Sequence, residues 1–127
     1  MRSDFIHRNI AIYKLNNPVG LTKHEAFSES QNALALYLKA MGHPARIAIL
    51  QQLVKEDRCV CGDLVDVLPL AQATVSQHLS ELKKAGLIKG TISGTSMCYC
   101  LDKESWEKCI AMLDDLISEV KKLASCC

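Results

Sequence analysis

Between Pro69 and Gly86 the chain carries one stretch whose periodicity leaves little choice of structure. Val75, Leu79 and Leu82 recur at helical spacing, while Ser76, Gln77, Ser80 and Lys84 fall on the opposite side. Pro69 closes whatever precedes, and Gly86 stands where a helix ends in a left-handed residue. This predicts a helix from about Gln72 to Ala85 with one buried stripe and one polar face. The short apolar run Leu64, Val65, Val67, Leu68 just before Pro69 predicts a small helix over about 62–68. Two helices joined by a tight turn are therefore expected at the centre of the chain.

The flanks extend that pattern. Ser28 or Ser30 is placed to cap a first helix running to Met41, with Leu34, Leu36, Tyr37 and Leu38 apolar on several faces. Gly42-His43-Pro44 ends it. Pro44 opens a second helix at about 45–56, since a proline at a helix start loses no needed hydrogen bond. Ile47, Leu50, Leu53 and Val54 are its expected buried side. After Gly86, a hairpin is predicted: Leu87–Ile92, a turn at Ser93-Gly94-Thr95-Ser96, then Met97–Leu101. The final helix, about 103–124, spaces Trp106, Ile110, Leu113, Ile117, Val120 and Ala124 in alternating four- and three-residue steps. Such a seam suits pairing with a second helix of the same kind. The expected fold is mainly α with a small β-hairpin, a dimeric winged helix-turn-helix. It occupies residues 28–125, after an extension at 1–27 that is partly ordered at best and before a cysteine tail at 126–127.

A chain of 127 residues suits one compact domain. Formal net charge is only +1, so its distribution matters more. Gln72–Gly90 holds three lysines against one acid, whereas 102–122 holds six acids against four lysines. The basic segment is the predicted second helix of the turn motif, which in such motifs enters the major groove of DNA with its first residues at base edges. Gln72, Thr74, Ser76, Gln77 and His78 are the candidate readers. Lys83, Lys84, Lys89 and Arg46 are the candidate phosphate contacts, with Ser93, Gly94 and Thr95 at the hairpin tip near the minor groove. Glutamine pairs bidentately with adenine, and serine or threonine takes base edges or phosphates. The blander reading is a solvated helix face. For His78, which lies beside Val75 and Leu82 in helical angle, a boundary hydrogen-bonding histidine is the stronger expectation.

The start of the chain lacks a signal-peptide core and no apolar run reaches membrane-spanning length, so a cytoplasmic protein with no membrane partner is expected. Thiols stay reduced there. Seven cysteines, an odd number, then suggest ligands or redox sites more than a disulfide framework. No C-x-x-C, βαβ pattern or Cys-His-carboxylate set is present, which argues against an enzyme.

Met41-Gly42-His43-Pro44-Ala45-Arg46-Ile47 with Ile49-Leu50, and Ala73-Thr74-Val75-Ser76-Gln77-His78-Leu79 with Leu82-Lys83-Lys84-Ala85-Gly86-Leu87-Ile88, resemble the entry segment and recognition helix of the ArsR-type (ArsR/SmtB) metalloregulatory repressors. The resemblance covers about residues 30–120. It implies a homodimer bound to a palindromic double-stranded operator and released when a metal or metalloid binds. The dimer surface would come from the first and last helices, here Leu34, Leu38, Trp106, Ile110, Leu113, Ile117 and Val120. No further protein partner and no permanently bound cofactor are implied.

Cys59-Val60-Cys61-Gly62-Asp63-Leu64 resembles the thiolate signature of the arsenic and antimony sensors in that family, which makes As(III) or Sb(III) the implied inducer. Soft thiolates select soft acceptors. On a regular helix the two cysteines would lie about 200° apart, so an irregular helix start is expected to let both grip one ion. The signature's third cysteine would fall at Leu64, so a third sulfur must come from elsewhere. Cys126 and Cys127 are preferred over Cys109 and over Cys98 and Cys100. Cys109 reads first as a buried structural residue. Cys98 and Cys100 alternate along a strand and read first as filler on one face, second as a further metal or redox site. A thiol redox sensor, or a sensor of cadmium or lead, is the alternative function. The family's zinc and nickel sensors use histidine and carboxylates of the last helix, which here has no histidine. His7 and His24 in the extension read as ordinary surface residues.

Overall fold

The computed structural model describes residues 25–62 and 64–123. The elements run α1 (Glu29–Met41), α2 (Pro44–Glu56), β1 (Val60–Cys61), α3 (Leu64–Val67), α4 (Gln72–Lys84), β2 (Ile88–Ser93), β3 (Ser96–Leu101) and α5 (Lys103–Lys121). The three strands form one antiparallel sheet in the order β1-β3-β2. This is a winged helix-turn-helix: α3 and α4 make the turn motif, and β2–β3 make the wing. Residues 1–24 of the expected extension, with His7 and His24, and also Ala124 and the tail cysteines Cys126 and Cys127, lie outside the described residues.

Local chemistry explains the helix ends. Ser28 Oγ accepts from the Gln31 amide, and Gln31 Oε1 accepts from the Ser28 amide, a reciprocal cap that starts α1. His43 caps α2, its Nδ1 accepting from Ala45 N at 3.1 Å, with Pro44 in the first turn. Asp57 closes α2 in a left-handed conformation (φ 48°), which Asp tolerates better than most residues, and so turns the chain into β1. Asp102 caps α5 by accepting from Ser105 N. The wing turns over Gly94-Thr95. Gly94, at φ 63°, supplies the positive φ that a two-residue hairpin needs.

The core gathers Ile49, Leu50 and Leu53 of α2, Val60 and Leu64, Val75, Leu79 and Leu82 of α4, and Ala85, Leu87 and Ile88 beyond it. Trp106 packs against its edge. The stripe expected on α4 is the buried one. On α2 the expectation needs correction. Leu50 and Leu53 are buried, but Ile47 is 40% exposed and Val54 62%. Ile49 is instead fully buried. The buried face is centred on Ile49 and Leu53, and Ile47 and Val54 sit more than a third of a turn round the helix from it, about 120–140°.

The greater difference lies at residues 59–61. The helix expected over 62–68 is confined to Leu64–Val67, and the cysteines before it lie on extended chain. Val60 pairs with Tyr99, and Cys61 with Cys98. Val60 joins the core and Tyr99 packs against it, which orients the strand. On a strand, residues two apart share a face, so Cys59 and Cys61 stand together without any distortion of a helix.

Candidate nucleic-acid interface and cysteine cluster

The α4 side chains singled out from the sequence divide into two groups. Gln72, Thr74, Ser76, Gln77, Lys83 and Lys84 are all exposed, on the side away from Val75, Leu79 and Leu82. Lys84 pairs with Glu81 at 3.1 Å on an exposed surface, which leaves its charge available. Ala71 supplies no side-chain cap to α4. The start of this helix therefore receives no side-chain acceptor from its cap residue, and the helix dipole favours an anion there.

His78 and Arg46 form the second group, and they face each other. Arg46 Nε donates to His78 Nδ1 at 3.3 Å, and Arg46 donates a second bond to the Ala40 carbonyl at 3.0 Å. The His78 ring lies 4.3 Å from that of His43, centroid to centroid. Partial burial, then the nearby His43 and Arg46, lower the pKa of His78. His78 is thus neutral near pH 7, with its proton on Nε2 because Nδ1 accepts from Arg46. It is the boundary histidine that its helical angle suggested, and it ties α4 to the start of α2.

Gly90 of the wing leaves a gap beside α4. A Cβ there would come within 3.2 Å of Met97 Sδ and 3.3 Å of Lys83 Nζ. The Lys83 stem and Met97 thus cover the glycine. From Thr91 to Met97 every wing residue is exposed, Ile92 by 76%.

The four cysteines of the two C-x-C pairs come together. Cys59 is bonded to Cys100 and Cys61 to Cys98, with Cα separations of 4.4 and 4.1 Å. Both expectations for these residues need correction. Cys98 and Cys100 are not filler, and in this structure all four are disulfides rather than free thiols. The cause is register: antiparallel pairing of β1 with β3 sets each cysteine of one pair opposite one of the other. Cys59 and Cys61 are exposed, Cys100 half-buried and Cys98 buried. With these bridges closed, no group of three or more His, Cys, Asp or Glu side chains among the described residues is placed to hold a metal ion. Cys109 is buried and free, and burial pushes its thiol pKa up, which makes it a structural residue. The signal that could have found the partnership was present in the sequence. Two C-x-C pairs, each alternating on extended chain, can meet face to face.

The apolar seam of α5 is only partly used within the chain. Trp106 packs on the core and donates from Nε1 to the Leu87 carbonyl at 3.0 Å. Leu113 is half-buried, while Ile110, Leu116, Ile117 and Val120 are exposed, and Leu38 of α1 is exposed too. No described helix is long and apolar enough to cross a membrane.

Comparison with known proteins agrees with this geometry. The family model described as bacterial regulatory protein, arsR family, matches residues 43–89. The HTH-type transcriptional repressor SmtB of Mycobacterium tuberculosis is 45% identical over 73 residues, 58% of this chain and 53% of that protein. The chain thus spans about half the length of that relative. An HTH-type transcriptional regulator of Methanocaldococcus jannaschii is 36% identical over 69% of this chain and 99% of its own length. Among solved structures, NolR from Sinorhizobium fredii superposes with a TM-score of 0.55 at 30% identity, covering 79% of this chain and 95% of that one.

Proposed function

Since the chain belongs to the ArsR family of DNA-binding transcriptional regulators, we propose that it is a homodimeric repressor whose hold on a palindromic operator is set by thiol chemistry at Cys59 and Cys61, with As(III) or Sb(III) as inducer. The observation that carries this reading is the position of the two cysteines. They lie on the strand that leads directly into the turn motif, exposed, with two further sulfurs opposite them. Trivalent arsenic takes three thiolates and loses its hydroxyls as water, so the wing pair supplies the third sulfur without recourse to the tail. Cys126 and Cys127 become the reserve ligands. The exposed Ile110, Ile117, Val120 and Leu38 are the apolar surface that a second copy would cover. Gln72, Thr74, Ser76 and Gln77 would meet bases, and Lys83, Lys84 and Lys89 phosphates.

A second reading, release or capture of DNA by oxidation, is favoured by the disulfides themselves. Fluorescence anisotropy of the phosphine-reduced protein on its own upstream DNA separates the two. Arsenite is expected to release the wild type and to leave the Cys59→Ser/Cys61→Ser variant bound. Release by a disulfide oxidant but not by arsenite would replace the metalloid reading with the redox one. If neither reagent changes binding, both readings fall.

A further inference from the structure

The geometry points to a four-sulfur site, contained in one subunit and formed by Cys59, Cys61, Cys98 and Cys100, that when reduced binds one four-coordinate soft divalent cation and clamps the wing to β1. This rests on the thiol-governed reading above and names its full ligand set.

Four observations lead there. First, the two C-x-C pairs occupy neighbouring antiparallel chain segments in register, so the Cα atoms of the four cysteines stand at the corners of one small quadrilateral, with their side chains on one face of the sheet. Its short edges are the 4.4 and 4.1 Å Cα separations, and its long edges span two residues of strand, about 7 Å. Second, a tetrahedral ion with sulfur ligands at about 2.3 Å needs its sulfurs roughly 3.8 Å apart. The strand spacing meets this across the short edges. Along the long edges, inward χ1 rotation brings the sulfurs together, since staggered rotamers offer that direction. Third, the exposure is graded. Cys59 and Cys61 are open to solvent, Cys100 is half-buried and Cys98 buried, so an ion enters from the β1 side and ends partly enclosed.

Fourth, the charge fits. Binding follows M²⁺ + 4 RSH → [M(SR)₄]²⁻ + 4 H⁺, and the product is a dianion. Lys89 of β2 stands directly opposite Cys100 and Thr91 opposite Cys98, so both residues share the sulfur face of the sheet. The Lys89 ammonium offsets the new charge. Lys89 is also one of the residues suited to a phosphate, so an anionic cluster beside it competes with DNA for the same cation. That gives the ion a direct route to the wing without motion of α4.

The disulfide form has no free thiolate for a cation. A phosphine opens each bridge, R₃P + H₂O + RSSR → R₃PO + 2 RSH, and the four thiols become available. Under anaerobic conditions, the phosphine-reduced full-length protein would be titrated with Cd²⁺ alone and then alkylated and peptide-mapped. The expected result is one Cd²⁺ per chain, protection of Cys59, Cys61, Cys98 and Cys100, unprotected Cys126 and Cys127, and proton release on binding. Affinity is expected to fall at least 100-fold in Cys98→Ser/Cys100→Ser and to stay unchanged in Cys126→Ser/Cys127→Ser. Protection of Cys59 and Cys61 together with the tail, and not of the wing pair, overturns the site. The wild-type map needs no variant, so a misfolded mutant leaves the test intact. A correct Cd²⁺ map with no thiophile affecting operator binding would keep the site and remove the proposed function. Arsenite release with the wing pair unprotected would remove the site, keep the thiol switch at Cys59 and Cys61, and return the third sulfur to the tail.

Discussion

Helix α4 and the wing are held in place by different physics. α4 is fixed by burial: Val75 and Leu82 are fully buried and Leu79 nearly so, and His78 adds a polar tie to Arg46. The wing is fixed by strand pairing and by two sulfur bridges to β1, and its outer half buries nothing. Apolar burial has no dependence on redox state or on soft ions, whereas sulfur bonds answer to both. The chemically responsive restraint is thus confined to the wing and β1, and the exposed face of α4 rests on burial.

The largest effect is expected in the core. Leu82→Ala should cost about 2–5 kcal/mol of stability in denaturant unfolding, because a fully buried leucine leaves a cavity. If the variant unfolds at the wild-type midpoint, α4 is not held by burial. Reducing both bridges should cost about 2–4 kcal/mol, well short of twice the single-bridge effect, since the second bridge closes little extra chain once the first exists. Hydrogen exchange should then rise in β2–β3 and remain unchanged in α4. Equal loosening of both regions would contradict two separate restraints.

Smaller effects sharpen the division. Gln77→Ala should weaken operator binding by about 1–3 kcal/mol at its cognate base and less on unrelated DNA. Lys84→Ala should weaken binding to all sequences alike and lower the salt slope by about 1. The smallest effect concerns His78. Its folded pKa lies below the ordinary 6.5, so its contribution to stability is complete above pH 6.5 and is lost as pH falls through the folded value. A mild loss of stability below pH 6.5, absent in His78→Asn, is the expected readout. An unchanged profile in that variant would assign the loss to another group.

The legibility of the chain follows the same line. α4, its buried stripe, its polar face and its end at Gly86 are all local, and periodicity with one glycine is enough to find them. The wing strands were legible too. For the cysteine cluster the repeated C-x-C spacing was the one signal, and it was not enough, because the cluster is made by a pairing between residues 37 and 41 positions apart in sequence. A two-residue strand has too little pattern to announce itself, so Cys59 and Cys61 read as the start of the helix that follows. Ile47 and Val54 misled for a related reason. Hydrophobicity fixes which helix has an apolar side, but the neighbouring elements decide where its centre falls.

One bond described above joins more than it first suggests. The Leu87 carbonyl accepts from both the Asp102 amide and the Trp106 indole, at 3.1 and 3.0 Å. Leu87 follows α4 directly and precedes β2, while Asp102 and Trp106 open α5. Helix α4, the wing and the helix with the exposed seam thus share one hinge point. In a paired molecule, the distance between two reading helices would be inherited from the angle at that carbonyl. Trp106 is the chain's single tryptophan. Its intrinsic emission is therefore a built-in gauge of that joint, readable without any label as DNA or a thiophile is added.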